Sequence, residues 1–231
     1  MQDPPPPTIV LAIGRQIGSG GAELGERLAR RLNFAYIDRQ IMQEAARCLG
    51  VDEAHLLHRA ERTTGFWEKL GHILSMGIPE SVYTDALRVP EVTDVALFGV
   101  SMQVIRELVS NRNTVLIGHA GFHCLRGWPG LVSVFTHAPR EFRVRRMAMR
   151  YHITDPAEAR AVIDRTDAER ERFIRQMAGV SWTDARNYDL CLDMSGVTFD
   201  MAEQMVVNLI EQRMGILAAA ATPGLAGDAR V

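Results

Sequence analysis

Short, continuous apolar runs alternate along this chain with stretches of helical spacing. Residues 9–13, 34–37, 114–117, 131–136 and 190–192 are the runs. Each has the length and continuous apolar character of a short buried strand. Between them, Leu24, Leu28 and Leu32 recur every four residues and mark one face of a helix. Residues 103–109 read as a second helix and 140–151 as a third, with Pro139 placed for the first helical turn. Asp155-Pro156-Ala157-Glu158 has the form of a capping box, with the cap, proline at the first position and glutamate at the third. The helix behind it is predicted to run to about 177. A last amphipathic helix is predicted over 200–214. Residues 39–110 carry mainly helical spacing, broken by glycines and prolines, and no strand.

Five buried strands alternating with helices predict an α/β fold, a five-stranded parallel sheet with helices on both faces. Ligands in such sheets bind at the carboxyl ends of the strands. Residues 14–22, Asp38, Gly118 and Asp193 all fall there. The chemistry begins in the first of these loops, Gly14-Arg15-Gln16-Ile17-Gly18-Ser19-Gly20-Gly21-Ala22. It stands between a strand and a helix, where glycine-rich backbone and a helix N-terminus cradle phosphate. The usual phosphate loop continues from glycine into lysine and a hydroxyl residue. Here Gly21 and Ala22 follow Gly20.

Composition sharpens that point. Of 26 basic residues, 25 are arginine and one is lysine, Lys69, far along the chain. A cationic phosphate clamp is therefore expected to be arginine, which grips phosphate in a bidentate way. The chain is 47% hydrophobic and 23% charged with net charge −2. That composition gives no reason to expect nucleic-acid binding. No apolar run is long enough for a membrane span. Three scattered cysteines without a CxxC pair fit a reducing, cytoplasmic setting. His119 and His123, with Cys124 adjacent, have a spacing that could hold zinc on a helix. The run contains Gly121 and lacks the HExxH glutamate, so no metal site is assigned. The stripe of Phe66, Trp67, Leu70, Ile73 and Leu74 reads as core or as a contact in a homo-oligomer.

The ordered segments resemble the nucleoside monophosphate kinases, most closely the cytidylate kinase-like branch. Members of that branch carry S-R-x-x-G-S-G-G after the first strand, also without lysine, and this chain reads G-R-Q-I-G-S-G-G. Further similar segments are FAYIDRQIMQEAARCLG at 34–50, QVIRELV at 103–109, VLIG at 115–118 and VFTHAPREFRVRRM at 134–147. DRTDAERER at 164–172 and GVSWTDARNYDLCLDMS at 179–195 complete the set. The resemblance implies one kinase-like domain over 8–214, with a helical monophosphate-binding insert at 39–110 and a lid at 152–180. Residues 1–7 are a proline-rich leader and 215–231 a flexible tail. It implies ATP with Mg2+, and transfer of the γ-phosphoryl group to a nucleoside monophosphate such as CMP or dCMP.

Carried over by position, Gly18, Ser19, Gly20, Gly21 and Ala22 cradle the donor phosphates. Arg15, Arg146, Arg165, Arg170 and Arg172 supply catalytic charge. Asp38, Arg143 and His119 meet the acceptor. The spacing of the arginines on 164–172 also fits a solvated helix face with i,i+4 ion pairs. Three positions depart from the family. His119 stands where an arginine is usual, no acid ends the third strand, and Phe173 and Ile174 replace a tyrosine pair. The alternative is a nucleotide-binding regulator with a non-catalytic site.

Overall fold

The structure is a computed structural model that describes residues 8–38, 102, 105–106, 108–118, 120–151, 153 and 155–221. His119, Lys69, the stripe at 66–74 and nearly all of the 39–110 insert lie outside the described residues.

The first strand β1, Val10–Arg15, leads through the glycine loop into helix α1, Gly21–Leu32. Strand β2 is Ala35–Ile37 and β3 is Thr114–Ile117. A short helix α2, Gly121–Cys124, precedes β4, Leu131–His137. Helices α3, Arg140–Tyr151, and α4, Pro156–Ala178, form a hairpin. Strand β5, Leu190–Asp193, and helix α5, Phe199–Ala221, close the order. The sheet order is β2-β3-β1-β4-β5, with every pair parallel. β1 is central, so the loop that follows it emerges from the middle of the sheet.

Alternation along β1 sends Val10 to one face and Leu11 and Ile13 to the other. Leu11 and Ile13 pack with Leu24 and Leu28 of α1 and with Ala202, Val206 and Ile210 of α5. Val10 packs with Ile105, Val109, Phe122, Leu125, Ile174 and Trp182. The burial of β1, β3 and β4 explains why their runs are continuous, since both faces are covered, whereas the edge strands β2 and β5 are only partly buried. A third cluster joins α3 to α4 through Val144, Met147, Val162 and Ile163, and Ile17 from the glycine loop is buried in it. The loop is thus anchored by its own apolar side chain.

Asp155 caps α4, its carboxylate accepting the Ala157 N–H at 2.8 Å, with Pro156 at the first position. Gly179 ends that helix in the left-handed conformation. Two helical extents differ from the sequence reading. α5 continues through Ala221 rather than stopping near 214, because Leu217 still packs on the core and the alanines after it favour helix. α2 was not expected, since four residues beginning with glycine are too short to show a period.

Candidate active site

The Gly20 backbone precedes α1 in the left-handed region, φ 100°, and no side chain caps the helix. The N–H groups of Gly21, Ala22 and Glu23 fall in the first turn, where a helix has no internal acceptor. They give the loop end a partial positive charge. Ser19 does not point outward. Its hydroxyl donates to the Gln16 carbonyl at 2.8 Å and lies 2.9 Å from Thr136 Oγ1.

Gly21 holds the lysine position of an ordinary phosphate loop, and there is no room for a side chain on it. A Cβ built on Gly21 would stand 2.3 Å from Thr136 Oγ1 and 2.7 Å from Arg15 Cβ. The missing lysine is therefore matched by a closed space. Cationic side chains reach the loop from elsewhere in the chain. Arg146 of α3 comes over Gly20, its Nη2 3.4 Å from where a Gly20 Cβ would be. It pairs with Glu23 at 3.0 Å and lies over the Phe199 ring, 5.4 Å from its centroid. Arg150 reaches the same Glu23 oxygen at 3.0 Å.

Other predicted residues brace the loop. Arg143 is buried against Gly18 and donates to the carbonyls of Ile17 at 3.2 Å and Ala138 at 3.1 Å. It also pairs with Asp167 of α4. Asp167 accepts the Ile17 N–H at 3.0 Å, so one carboxylate binds both the loop backbone and the arginine behind it. Arg170, one turn further along α4 and 7% exposed, donates to the Arg15 carbonyl at 3.0 Å and lies 5.9 Å from the Trp182 ring centroid. Arg15 is buried and borders Gly21. Helical geometry separates the three arginines of α4 singled out in the sequence. Arg170 faces inward, whereas Arg165 and Arg172 are exposed on other faces.

Beside the loop lies a narrow cleft. Gly14 and Arg15, Gly118 and Ala120, and Arg170 and Trp182 line it, with Phe122, Phe173 and Ile174 adding apolar walls. It opens at the carboxyl ends of β1 and β3, where such a sheet binds ligands. Among the described residues no three His, Cys, Asp or Glu side chains are grouped to hold a metal. Burial pushes the Cys124 thiol up to about 12 despite the nearby Arg106 charge, which disfavours a thiolate ligand. Burial, with Arg126, lowers the His123 pKa. Asp38 follows β2 and Asp193 ends β5, at opposite edges of the sheet. Four strand spacings separate those strands, about 19 Å, so the two acids cannot share one ion. Asp193 is occupied in a turn, accepting the Ser195 N–H at 2.9 Å and its hydroxyl at 2.7 Å.

Glu23, Thr136, Asp167 and Phe199 were not singled out by sequence reasoning. Their partners lie far away in sequence, and no local spacing marks them.

The comparisons agree with this architecture. Residues 10–196 match the cytidylate kinase-like family. A cytidylate kinase from Sulfolobus acidocaldarius is 25% identical over 117 residues, 49% of this chain and 62% of that protein. The chain therefore spans less than two thirds of the relative it matches. An uncharacterized protein from Eubacterium ventriosum superposes with a TM-score of 0.64 at 19% identity, over 88% of this chain and 99% of its own. Shikimate kinase from Bacteroides thetaiotaomicron aligns over 88% of this chain and 98% of its own, at 15% identity and a TM-score of 0.45. No helix among the described residues is long and apolar enough to cross a membrane. With a family match over residues 10–196, most of its length, this chain belongs to the cytidylate kinase-like family.

Proposed function

We propose that the protein is an ATP-dependent phosphotransferase acting on a nucleoside monophosphate of the cytidylate type, CMP or dCMP. The observation that carries this reading is an uncapped helix N-terminus in a glycine loop, with Arg146 at its mouth and the Arg170 cleft beside it. The loop end would receive the phosphates of a triphosphate. Backbone N–H groups of Gly21, Ala22 and Glu23 are the donors, and arginine takes over the charge that lysine supplies elsewhere.

ATP would bring the phosphoryl group, and Mg2+ would offset the charge on its phosphates. A magnesium ion carried largely on phosphate and water needs few protein ligands, which suits a site whose described residues form no acidic cluster. The residues of this chain then do three things. The loop fixes the donor through its backbone, braced from behind by Ile17, Arg143 and Asp167. Arg146 and Arg170 bring positive charge from two sides, which in-line transfer requires more than covalent chemistry. The apolar walls of the cleft keep water from competing with the acceptor. Arg165, Arg172 and Asp38 match the wider family pattern, His119 stands where that pattern has arginine, and the contribution of all four is part of the proposal.

The test is product analysis after incubation with Mg-ATP and each common monophosphate or deoxymonophosphate, with Arg146→Ala alongside. Diphosphate from CMP or dCMP, strongly reduced in the variant, is the expected result. No diphosphate from any acceptor rejects the reading.

The closed space at Gly21 and the missing hydroxyl at Ala22 favour a second reading, a nucleotide-binding regulator without turnover. It predicts saturable ATP or monophosphate binding with no product.

A further inference from the structure

Glu23 is the third residue of α1, and its carboxylate sits in the turn whose N–H groups are offered to phosphate. One oxygen, Oε2, accepts from Arg146 Nη2 and from Arg150 Nη1, each at 3.0 Å. Helix dipole and two guanidinium groups thus converge on an anion that belongs to the protein. A triphosphate seated on the same turn needs the same positive groups and carries more charge. It would also meet a carboxylate at short range.

We propose that Glu23 is a resident anion in the donor subsite. It fills the arginine grip until nucleotide phosphates displace it, and so it sets donor affinity. This inference rests on the reading of the loop as a phosphate site. It differs from a purely structural role for the ion pair, in which Glu23 only ties α1 to α3. A structural tie predicts that its loss loosens the site and weakens binding. A resident anion predicts the reverse. The side chains of Glu23, Arg146 and Arg150 are 27%, 19% and 46% exposed, so the competing pair is partly solvated and its effect is moderate.

The experiment is calorimetric titration of the full chain with ATP and, separately, with inorganic tripolyphosphate. The variants are Glu23→Gln, which keeps size and shape, Arg146→Ala/Arg150→Ala, and the triple combination. Glu23→Gln is expected to bind both probes about fivefold more tightly, the scale of a partly exposed ion pair. The gain should shrink at high salt and vanish when both arginines are absent, as a coupled cycle requires. Unchanged or weaker binding by Glu23→Gln, with the parent protein binding normally, overturns the inference and leaves the phosphate-site reading intact. A gain that persists without the arginines also overturns it. Failure of the parent and of Glu23→Gln to bind either probe rejects the donor site itself.

Discussion

At Gly21 the chain lacks more than a lysine. Thr136 Oγ1 and Arg15 Cβ lie where any side chain would begin. Gly21→Lys should therefore restore the sequence motif without restoring its chemistry. Overpacking of this kind costs about 1–3 kcal/mol, and Gly21→Ala should cost nearly as much, because the first carbon already collides. Urea denaturation of both variants measures this. A lysine variant as stable as the parent would show that the space opens easily. The absence of the lysine was plain in the sequence. The reason for it was not, because Thr136 is more than a hundred residues away and only the pairing of β1 with β4 brings it near. Arg146 was legible as a cation on a helix before the lid segment. Glu23, which holds it, gave no signal beyond being an acid in a first helical turn.

Among the elements, α4 was expected as part of a mobile lid, and its inner face is bonded to the loop. Asp167 takes the Ile17 N–H and Arg143, and Arg170 takes the Arg15 carbonyl. Asp167→Ala leaves the buried Arg143 guanidinium without its carboxylate. The expected loss is about 3 kcal/mol in chemical denaturation, with Asp167→Asn milder since it can still accept the loop N–H. Equal stability for Asp167→Ala and the parent would remove the brace from the account. Further along α4, Glu171 holds the turn after the helix. Its carboxylate accepts the Trp182 N–H at 2.8 Å and the Ser181 hydroxyl at 3.3 Å and pairs with Arg175. Burial pushes this carboxyl up, but the Arg175, Trp182 and Ser181 hydrogen bonds and the Arg175 charge outweigh it, and it stays below its usual value of 4.5. A depressed folded-state value means the stabilisation is complete above the unfolded value and is lost as pH falls through the folded one. The stability of the parent should therefore drop below about pH 4.5 more steeply than that of Glu171→Gln. Parallel slopes in acid titrations of the two would contradict this. The helix itself was readable from its cap, proline and spacing; which of its arginines turned inward depended on where α4 docks.

For the molecule as a whole, the parallel sheet was readable because buried parallel strands require unbroken apolar runs, and all five runs became strands. Their order was not, since nothing in a run says which neighbour it takes. That order sets β1 in the centre and sends Asp38 and Asp193 to opposite edges. A ligand that binds only the native chain stabilises it by mass action. ATP at a hundredfold over its dissociation constant should raise the unfolding free energy by about 2.7 kcal/mol, read as a shift in urea midpoint. An unmoved midpoint at saturating ATP would deny native-state binding. The closed space around Gly21 also bears on how this chain could change over time. Because Thr136 Oγ1 and Arg15 Cβ both crowd it, a side chain at position 21 carries its full packing cost until neighbouring positions have changed. The intermediate chains would carry a gap beside Ser19 and nothing yet to fill it. A path back to a lysine-bearing loop thus has an imposed order of steps, and the early ones lose packing before any charge is gained.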